Sequence, residues 1–398
     1  MIVVKKNVAK VMKRFEVIQN IPSPYRLHLF REMHRQLNSM GIAFHVNFMS
    51  DMSRGHDERP LSWRNPQIDF PHVYWKDYGI GQYHFNPGMI HYLRKNKPDY
   101  LLVGSTFDTF TSWAASFLCK TGVRCAWSEG NTKTTGEMGG VRGWIKRTIF
   151  SQYPLVGVAG SDCAKYINLH QKRTSRRMPK AIFLPNLIDE TRFRPRQNWN
   201  VDEIQDIRMR LGAIDDVRIC VIPARLEKVK GLIEFISLLT PDMVNGWRII
   251  IMGQGPLRGE IEKIITERRL SNFIKILDFV PYDNMPKFYA ASDLFLLPSL
   301  YDRNPLSVVE SLHSGLPIAL SKMAGNVEEA VTSGVNGWAL RVDDKAAFAE
   351  QLKEIFATPK EKLRIMGGKS YELNSKFWVT KDAVSKFLNE IISFRRDA

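Results

Sequence analysis

Short β-type runs alternate with amphipathic helical stretches along the whole chain, which is the signature of parallel α/β sheets. In the first half "RFEVIQNI", "DYLLVGS", "RCAWSE" and "YPLVGVAG" read as strands of one sheet. Between them "PYRLHLFREMHRQLNSMG" and "FTSWAASFLCKTG" read as helices, with Gly41 and Gly122 as C-caps. A second series begins at "VRICVIPARL" and continues through "WRIIIMGQGP", "FIKILDFV", "DLFLLPSL" and "LPIALS", each followed by a helical segment. The periodicity breaks in "LPNLIDETRFRPRQNWN", near residues 186–200, where prolines, asparagines and charges cluster. Two domains in tandem follow, over 1–195 and 196–378, with 379–398 as a terminal helix that returns to the first domain. The cleft is expected at their junction.

A chain of 398 residues is too long for one ordinary core and suits two. With 44% apolar and 11% aromatic residues it buries enough surface to fold alone. The four cysteines, Cys119, Cys125, Cys163 and Cys220, lack a C-x-x-C pair, so buried free thiols are expected rather than disulfides or a zinc cluster. The apolar run in "MIVVKKNVAKVMKRF" is too short for a signal peptide, and no segment reaches the ~18 apolar residues of a membrane span. A cytoplasmic protein is expected. The net charge is +16, and it is unevenly placed. Residues 1–200 hold 30 Lys+Arg against 14 Asp+Glu, and residues 201–398 hold 27 against 27. The excess therefore belongs to the first half, where it calls for an anionic partner: a membrane surface, a nucleic acid or an acidic polymer.

One stretch concentrates the chemistry. "SLYDRNPLSVVESLHSGLPIAL" places Asp302 and Glu310 on either side of an Asn304-Pro305 step that reads as a helix start. Asn304 suits the N-cap and Pro305 the first helical position, which leaves the amides of Leu306, Ser307 and Val308 to meet a phosphate. Asp302, just outside the first turn, and Glu310, in the second, can then reach hydroxyl groups of whatever is anchored there. An isolated pair of this kind would more often be an aspartate complementing the helix dipole and a solvated helix residue. This pair has company. "PARLEKVKG" places Arg225 after a strand and Lys230 five residues later, where a guanidinium fork and an ammonium can close on one anion. "IIIMGQGP" adds Gly253 and Gly255 at another strand end, where backbone can approach a ligand, although G-x-G alone is a weak signal.

Taken together these stretches resemble the GT-B glycosyltransferases, in particular the retaining family 4. The segments "PARLEKVKG", "IIIMGQGP", "ILDFVPYDNMPKFYAASDLFLLPS", "DRNPLSVVESLHSGLPIA" and "AGNVEEAVTSGVNG" follow the family's order and spacing. The resemblance implies an α/β fold of two Rossmann-like parallel-sheet domains facing a cleft. It implies that Arg225 and Lys230 bind the donor diphosphate, that Glu310 holds the ribose hydroxyls and that the backbone near Val280 surrounds the base. Family members carry two Glu residues separated by seven. Here Asp302 takes the first place, one methylene short, and is expected to meet the donor sugar. In the first domain "IPSPYR" replaces a Gly-rich loop, as in a subgroup resembling polysaccharide-assembly enzymes. There Tyr25 and Arg26 either face donor phosphates or acceptor, or simply start and pack the helix. "WSEGN" puts Glu129 where many relatives carry a His.

His28, His34, His45, His84 and His91 have no metal-ligand spacing, and no Asp-x-Asp occurs. Metal-independent transfer without a cofactor is expected, with Arg225, Lys230 and the helix end carrying the charge. The resemblance thus implies a UDP- or GDP-sugar donor and a lipid-linked or oligosaccharide acceptor, in the assembly of surface polysaccharide or lipopolysaccharide. A GT-B epimerase or phosphorylase is the alternative within the fold. A glycoside hydrolase would use two carboxylates but needs neither Arg225, Lys230 nor a phosphate-ready helix end. A nucleic-acid-binding protein would explain the basic half, but no helix-turn-helix, zinc or aromatic-basic sheet signature accompanies the charge, and no nucleic-acid partner is expected. The charge points instead to peripheral docking on the inner face of an anionic cytoplasmic membrane. "GGVRGWIKRTIF", Gly139 to Phe150, interleaves Arg142, Lys146 and Arg147 with Trp144, Ile145, Ile149 and Phe150, and Lys5, Lys6, Lys10, Lys13 and Arg14 add to it.

Overall fold

The computed structural model describes residues 12–51, 67–80, 83–105, 109–120, 122–133, 139–278 and 280–394. Its strands form two parallel sheets. The first contains β1 (Lys13–Gln19), β2 (Ile42–Phe48), β3 (His72–Tyr74), β4 (Tyr100–Val103), β5 (Val123–Ser128), β6 (Leu155–Val158) and β7 (Lys180–Phe183), in spatial order β3-β2-β1-β4-β5-β6-β7. The second contains β8 (Arg218–Pro223), β9 (Trp247–Met252), β10 (Ile274–Leu277), β11 (Leu294–Leu297), β12 (Ile318–Ser321) and β13 (Gly337–Leu340), in order β10-β9-β8-β11-β12-β13. In each sheet the order reverses beside its first strand, between β1 and β4 and between β8 and β11. Such a switch point opens a crevice outside the carboxyl ends of the strands, so the topology sets a binding place in each domain.

Helices α1 (Pro24–Ser39), α2 (Pro87–Asn96), α3 (Phe110–Leu118), α4 (Gly140–Phe150) and α5 (Ser161–Gln171) serve the first sheet. Helices α6 (Val201–Arg210), α7 (Leu232–Leu238), α8 (Arg258–Glu267), α9 (Met285–Ala291), α10 (Leu306–His313), α11 (Val327–Ala330), α12 (Lys345–Ala357) and α13 (Lys360–Phe377) serve the second. The last helix, α14 (Thr380–Ser393), packs on α1, β5 and β7 of the first domain. The inner strands of both sheets are almost wholly buried, as expected for sheets covered on both faces, while the edge strands β3, β7 and β10 are partly exposed. All four cysteines are buried and free.

Three expectations change here. Gly41 does follow α1 with φ +69°, the left-handed conformation a helix end favours, but Gly122 has no positive φ and the C-cap of α3 is Cys119. A Cβ at Gly122 would overlap the Asp99 carbonyl, so its role is close approach of backbone. In α4, Ile149 and Phe150 are buried in the first domain's core and Ile145 is half-buried, which leaves Val141 and Trp144 as its exposed apolar residues. Lys13 and Arg14 open β1, at the end of the sheet away from the crevice, where Arg14 bonds Glu16 and Tyr92. Lys5, Lys6 and Lys10 lie outside the described residues.

The chain passes between the domains twice, and the two passages are tied together. In the first, Arg196 donates to the Ala290 carbonyl and pairs with the buried Asp293, which Arg208 also meets at 2.9 Å. In the second, Thr380 opens α14 and gives its amide and hydroxyl to Glu190 of the first passage, at 3.0 and 2.6 Å. His28 of α1 stands 3.1 Å from the same hydroxyl.

Candidate active site in the interdomain cleft

On the second domain the site starts from two loops lying side by side. The Ala224 amide donates to the Met252 carbonyl and the Leu226 amide to that of Gln254. This is possible because residues 253 and 255 lack side chains: a Cβ on Gly253 or Gly255 would run into the Ala224 or Leu226 carbonyl. The two glycines thus bring backbone against backbone and position the Arg225 loop. Lys230 ends a short 3-10 turn, Lys228–Lys230, before Gly231 at φ +66°, and a Cβ at Gly231 would strike the Pro298 carbonyl. The loop after β8 is therefore locked onto the loop after β11, and the Val229 carbonyl accepts from the Leu300 and Tyr301 amides.

That lock determines the charges. Lys230 Nζ reaches Asp302 Oδ2 at 2.5 Å, with the two side chains only 16% and 12% exposed. Arg225 is 69% exposed and pairs with Glu227. The two cations thus address separate carboxylates rather than a shared point. Helix α10 also starts one residue later than expected: Pro305 is the N-cap and Leu306 the first helical residue, while Asn304 lies outside with its amide nitrogen buried and unpartnered. The Asn326 side chain holds the Pro305 carbonyl at 3.1 Å, which explains the extended proline at that position. The first amides of α10, on Leu306 and Ser307, have no preceding turn to satisfy them.

Glu310 faces inward. It is buried, and its Oε2 accepts from the Tyr289 hydroxyl at 2.7 Å. Burial pushes its carboxyl up to about 7, against the downward pull of that hydrogen bond and of Arg192. Arg192 comes from the interdomain passage, where it pairs with Asp283 and stacks over Tyr282 at 4.6 Å. Val280 is half-buried against the core two residues earlier.

The first domain contributes residues far apart in sequence. Arg26, in the first turn of α1, is buried with its guanidinium 3.6 Å from the centre of the Trp127 ring and 5.0 Å from that of Tyr25. It donates to Glu129, just past the end of β5, at 2.5 Å. Glu129 keeps 30% exposure, so Arg26 serves as its support and does not itself open onto the cleft. Beyond it, Asn131 donates across the cleft to the Arg303 carbonyl at 3.0 Å. A Cβ at Gly325 would collide with that same carbonyl, so a glycine is needed where the three loops meet. Further along, Glu329 of α11 accepts from the Ser161 amide, and Glu328 pairs with Lys165.

Asn131, Arg192, Tyr289 and Glu329 were not singled out from the sequence. Only Asn131, beside "WSEG", carried a signal: a polar residue just past a strand end. Among the described residues no group of three His, Cys, Asp or Glu could hold a metal ion. His84 is taken by Asp77 at 2.6 Å and His28 by the interdomain knot.

Comparison with known proteins places this geometry. Residues 203–372 match the sequence profile described as glycosyl transferases group 1, a stretch that holds Arg225, Lys230, Asp302 and Glu310. An uncharacterized glycosyltransferase of Methanocaldococcus jannaschii is 26% identical over 160 residues, 40% of this chain and 40% of that protein. The amylovoran biosynthesis glycosyltransferase AmsK of Erwinia amylovora is 29% identical over 135 residues, 32% of this chain and 33% of that protein. The matched stretch thus spans less than half the length of these curated relatives. Among solved structures, the Anabaena protein HepE, in complex with UDP and glucose, superposes with a TM-score of 0.70 at 15% identity, covering 96% of this chain and 100% of that one. The chain has the GT-B fold, two Rossmann-like domains facing a cleft, and its second domain is similar to the glycosyl transferases group 1.

Proposed function

We propose that this chain is a glycosyltransferase that moves a sugar from a UDP- or GDP-sugar to a hydroxyl of a glycan or lipid-linked acceptor in surface polysaccharide assembly. The carrying observation is that the Lys230–Asp302 pair, the start of α10 and the buried Glu310 sit at one switch point, across from Glu129 on Arg26. In this reading the ribose hydroxyls donate to Glu310, and the diphosphate meets Arg225, Lys230 and the Leu306 and Ser307 amides. A diphosphate competes with Asp302 for the Lys230 ammonium, and Asp302, so released, accepts from the donor sugar. The bond from the anomeric carbon to the diphosphate breaks as that to the acceptor oxygen forms on the same face, which retains configuration. The acceptor's proton passes to the departing phosphate oxygen. Glu129, held by Arg26, orients the acceptor hydroxyl. The leaving charge is carried by these cations and amides rather than by a metal, as the lack of Asp-x-Asp suggests.

A thermal-shift panel of UDP, GDP and their sugars tests the reading, because a ligand at 100 times its Kd stabilises by about 2.7 kcal/mol. One base series should raise the midpoint. If no nucleoside diphosphate did so, the reading would fail. Release of the nucleotide only when an acceptor is supplied, and without inorganic phosphate, separates transfer from epimerisation and phosphorolysis.

A further inference from the structure

Helix α3 is built inside out. Its polar residues Thr111, Ser112 and Ser116 are completely buried and hydrogen-bonded, to Asn86, the Gly104 carbonyl and Tyr153 respectively. Its outward positions are apolar: Phe110, Phe117 and Leu118 are exposed, and Trp113 and Ala114 are half-buried between them. A helix facing water has the opposite pattern, with its apolar stripe inward. The surroundings extend this face. The tip of the loop before α2 carries Ile80, 86% exposed, and Tyr83, whose ring lies 5.8 Å from that of Phe110. Helix α4, which packs beside α3, adds Val141 at 74% and Trp144 at 56% exposure. Large apolar side chains exposed together on neighbouring elements mark an interaction site.

Charge identifies the occupant. Residues 87–180, which span α2 to β7, hold 15 Lys+Arg against 5 Asp+Glu, so they supply ten of the sixteen net positive charges. Arg142 is exposed between Val141 and Trp144, and Arg173 stands beside Gly139 at the start of α4. Among the described residues no helix is long and apolar enough to cross a membrane, so apolar side chains rimmed by cations suit contact along a surface. The starts of α3 and α4 and the loop before α2 lie at the carboxyl ends of the strands, where the cleft opens.

We propose that Ile80 and Tyr83, the outer face of α3 and the first turns of α4 dock this protein on an anionic lipid bilayer, with the cleft mouth toward the headgroups. The proposal does not depend on glycosyl transfer. It locates docking on α3 as much as on α4, since Ile149 and Phe150 belong to the core.

The test is co-sedimentation of the full chain with vesicles of phosphatidylglycerol and phosphatidylcholine, and with phosphatidylcholine alone. Binding to the anionic vesicles is expected, weakening as salt rises. Phe117→Ser combined with Trp144→Ser should weaken it by about tenfold or more, since each aromatic side chain withdrawn from lipid returns apolar area to water. Arg142→Glu should weaken it less and reduce its salt dependence. Unchanged far-UV circular dichroism and thermal midpoint show that the variants fold, a control that requires no donor. The proposal is overturned if the wild type ignores anionic vesicles at low salt, if it binds both vesicle types equally, or if the double variant binds like the wild type. A concentration-dependent dimer that Phe117→Ser abolishes, without vesicle binding, would assign the face to a second copy and also overturn it.

Discussion

On the second domain's rim of the cleft, the side chains expected to meet a donor come from loops leaving neighbouring strands β8 and β11, and their charges are paired within that rim. On the first domain's rim, Arg26 and Glu129 lie 103 residues apart and meet only because β1, β4 and β5 are adjacent in the sheet. The electrostatics differ as well. Lys230 and Asp302 form a pair that an incoming anion can exchange, and Glu310 sits without a cation close enough to keep it ionised at low pH. Arg26 is fixed, buried against Trp127 with one carboxylate at its end. The contrast suggests that one rim rearranges its charges on binding while the other is preorganised.

Removing the exchangeable cation should have the largest effect. Lys230→Ala is expected to lower the transfer rate on the order of 100-fold to 1000-fold, and Glu310→Ala comparably, with the fold intact. Arg225→Ala should fall short of both, because Arg225 is largely exposed. Near-normal rates for Lys230→Ala, measured with an identified donor, would erase the proposed difference between the rims.

The preorganised rim is probed by Glu129→Gln. It should reduce kcat by up to about 100-fold, the scale of a misplaced reacting group, while leaving nucleoside diphosphate affinity as it was. An equal loss of affinity, read by calorimetry, would move Glu129 to the donor side.

Titration sharpens the comparison further. Glu310, raised from 4.5 to about 7, accepts ribose hydroxyls best when ionised, so nucleoside diphosphate affinity should climb as pH rises through about 7 and then level off. Glu310→Gln should remove that part of the pH dependence and leave the part due to the ligand's own phosphate. Stability should move the other way. Because the folded-state carboxyl binds its proton more tightly than the unfolded one, its contribution is complete below 4.5 and is lost as pH rises through about 7. The loss is on the order of 3 kcal/mol. A denaturation series in which Glu310→Gln shows the same slope as the wild type would refute this.

The smallest effect is expected where the two interdomain passages meet. Thr380→Val keeps the shape but removes a hydroxyl bonded to Glu190, and should cost about 1 kcal/mol in chemical denaturation. A change in transfer rate larger than the change in stability would show that the knot also tunes closure.

Much of this was legible in the chain itself. Alternating apolar runs and amphipathic stretches announced two parallel sheets, because strands buried on both faces must be continuously apolar and their crossover helices must present one apolar stripe. Four of the second domain's site residues, Arg225, Lys230, Asp302 and Glu310, could be picked out because they fall in two short stretches, each just past the end of a strand, although the two stretches lie 72 positions apart at Lys230 and Asp302. Strands β2, β3, β7 and β13 were not read from the sequence; β3 and β7 are three and four residues long with partly exposed positions.

Tertiary structure decided what sequence spacing does not encode. It moved the start of α10 from Pro305 to Leu306, since the Pro305 carbonyl is held by Asn326, twenty-one positions on. It assigned Gly253 and Gly255 to backbone contact across two strand ends, and it joined Arg26 to Glu129. It also decided which face of α3 is inward, the one carrying the buried threonine and serines. The physical reason is common to all of these: hydrophobic periodicity is a local property of the chain, whereas the partner of a buried polar group is chosen by the packing of segments far apart along it.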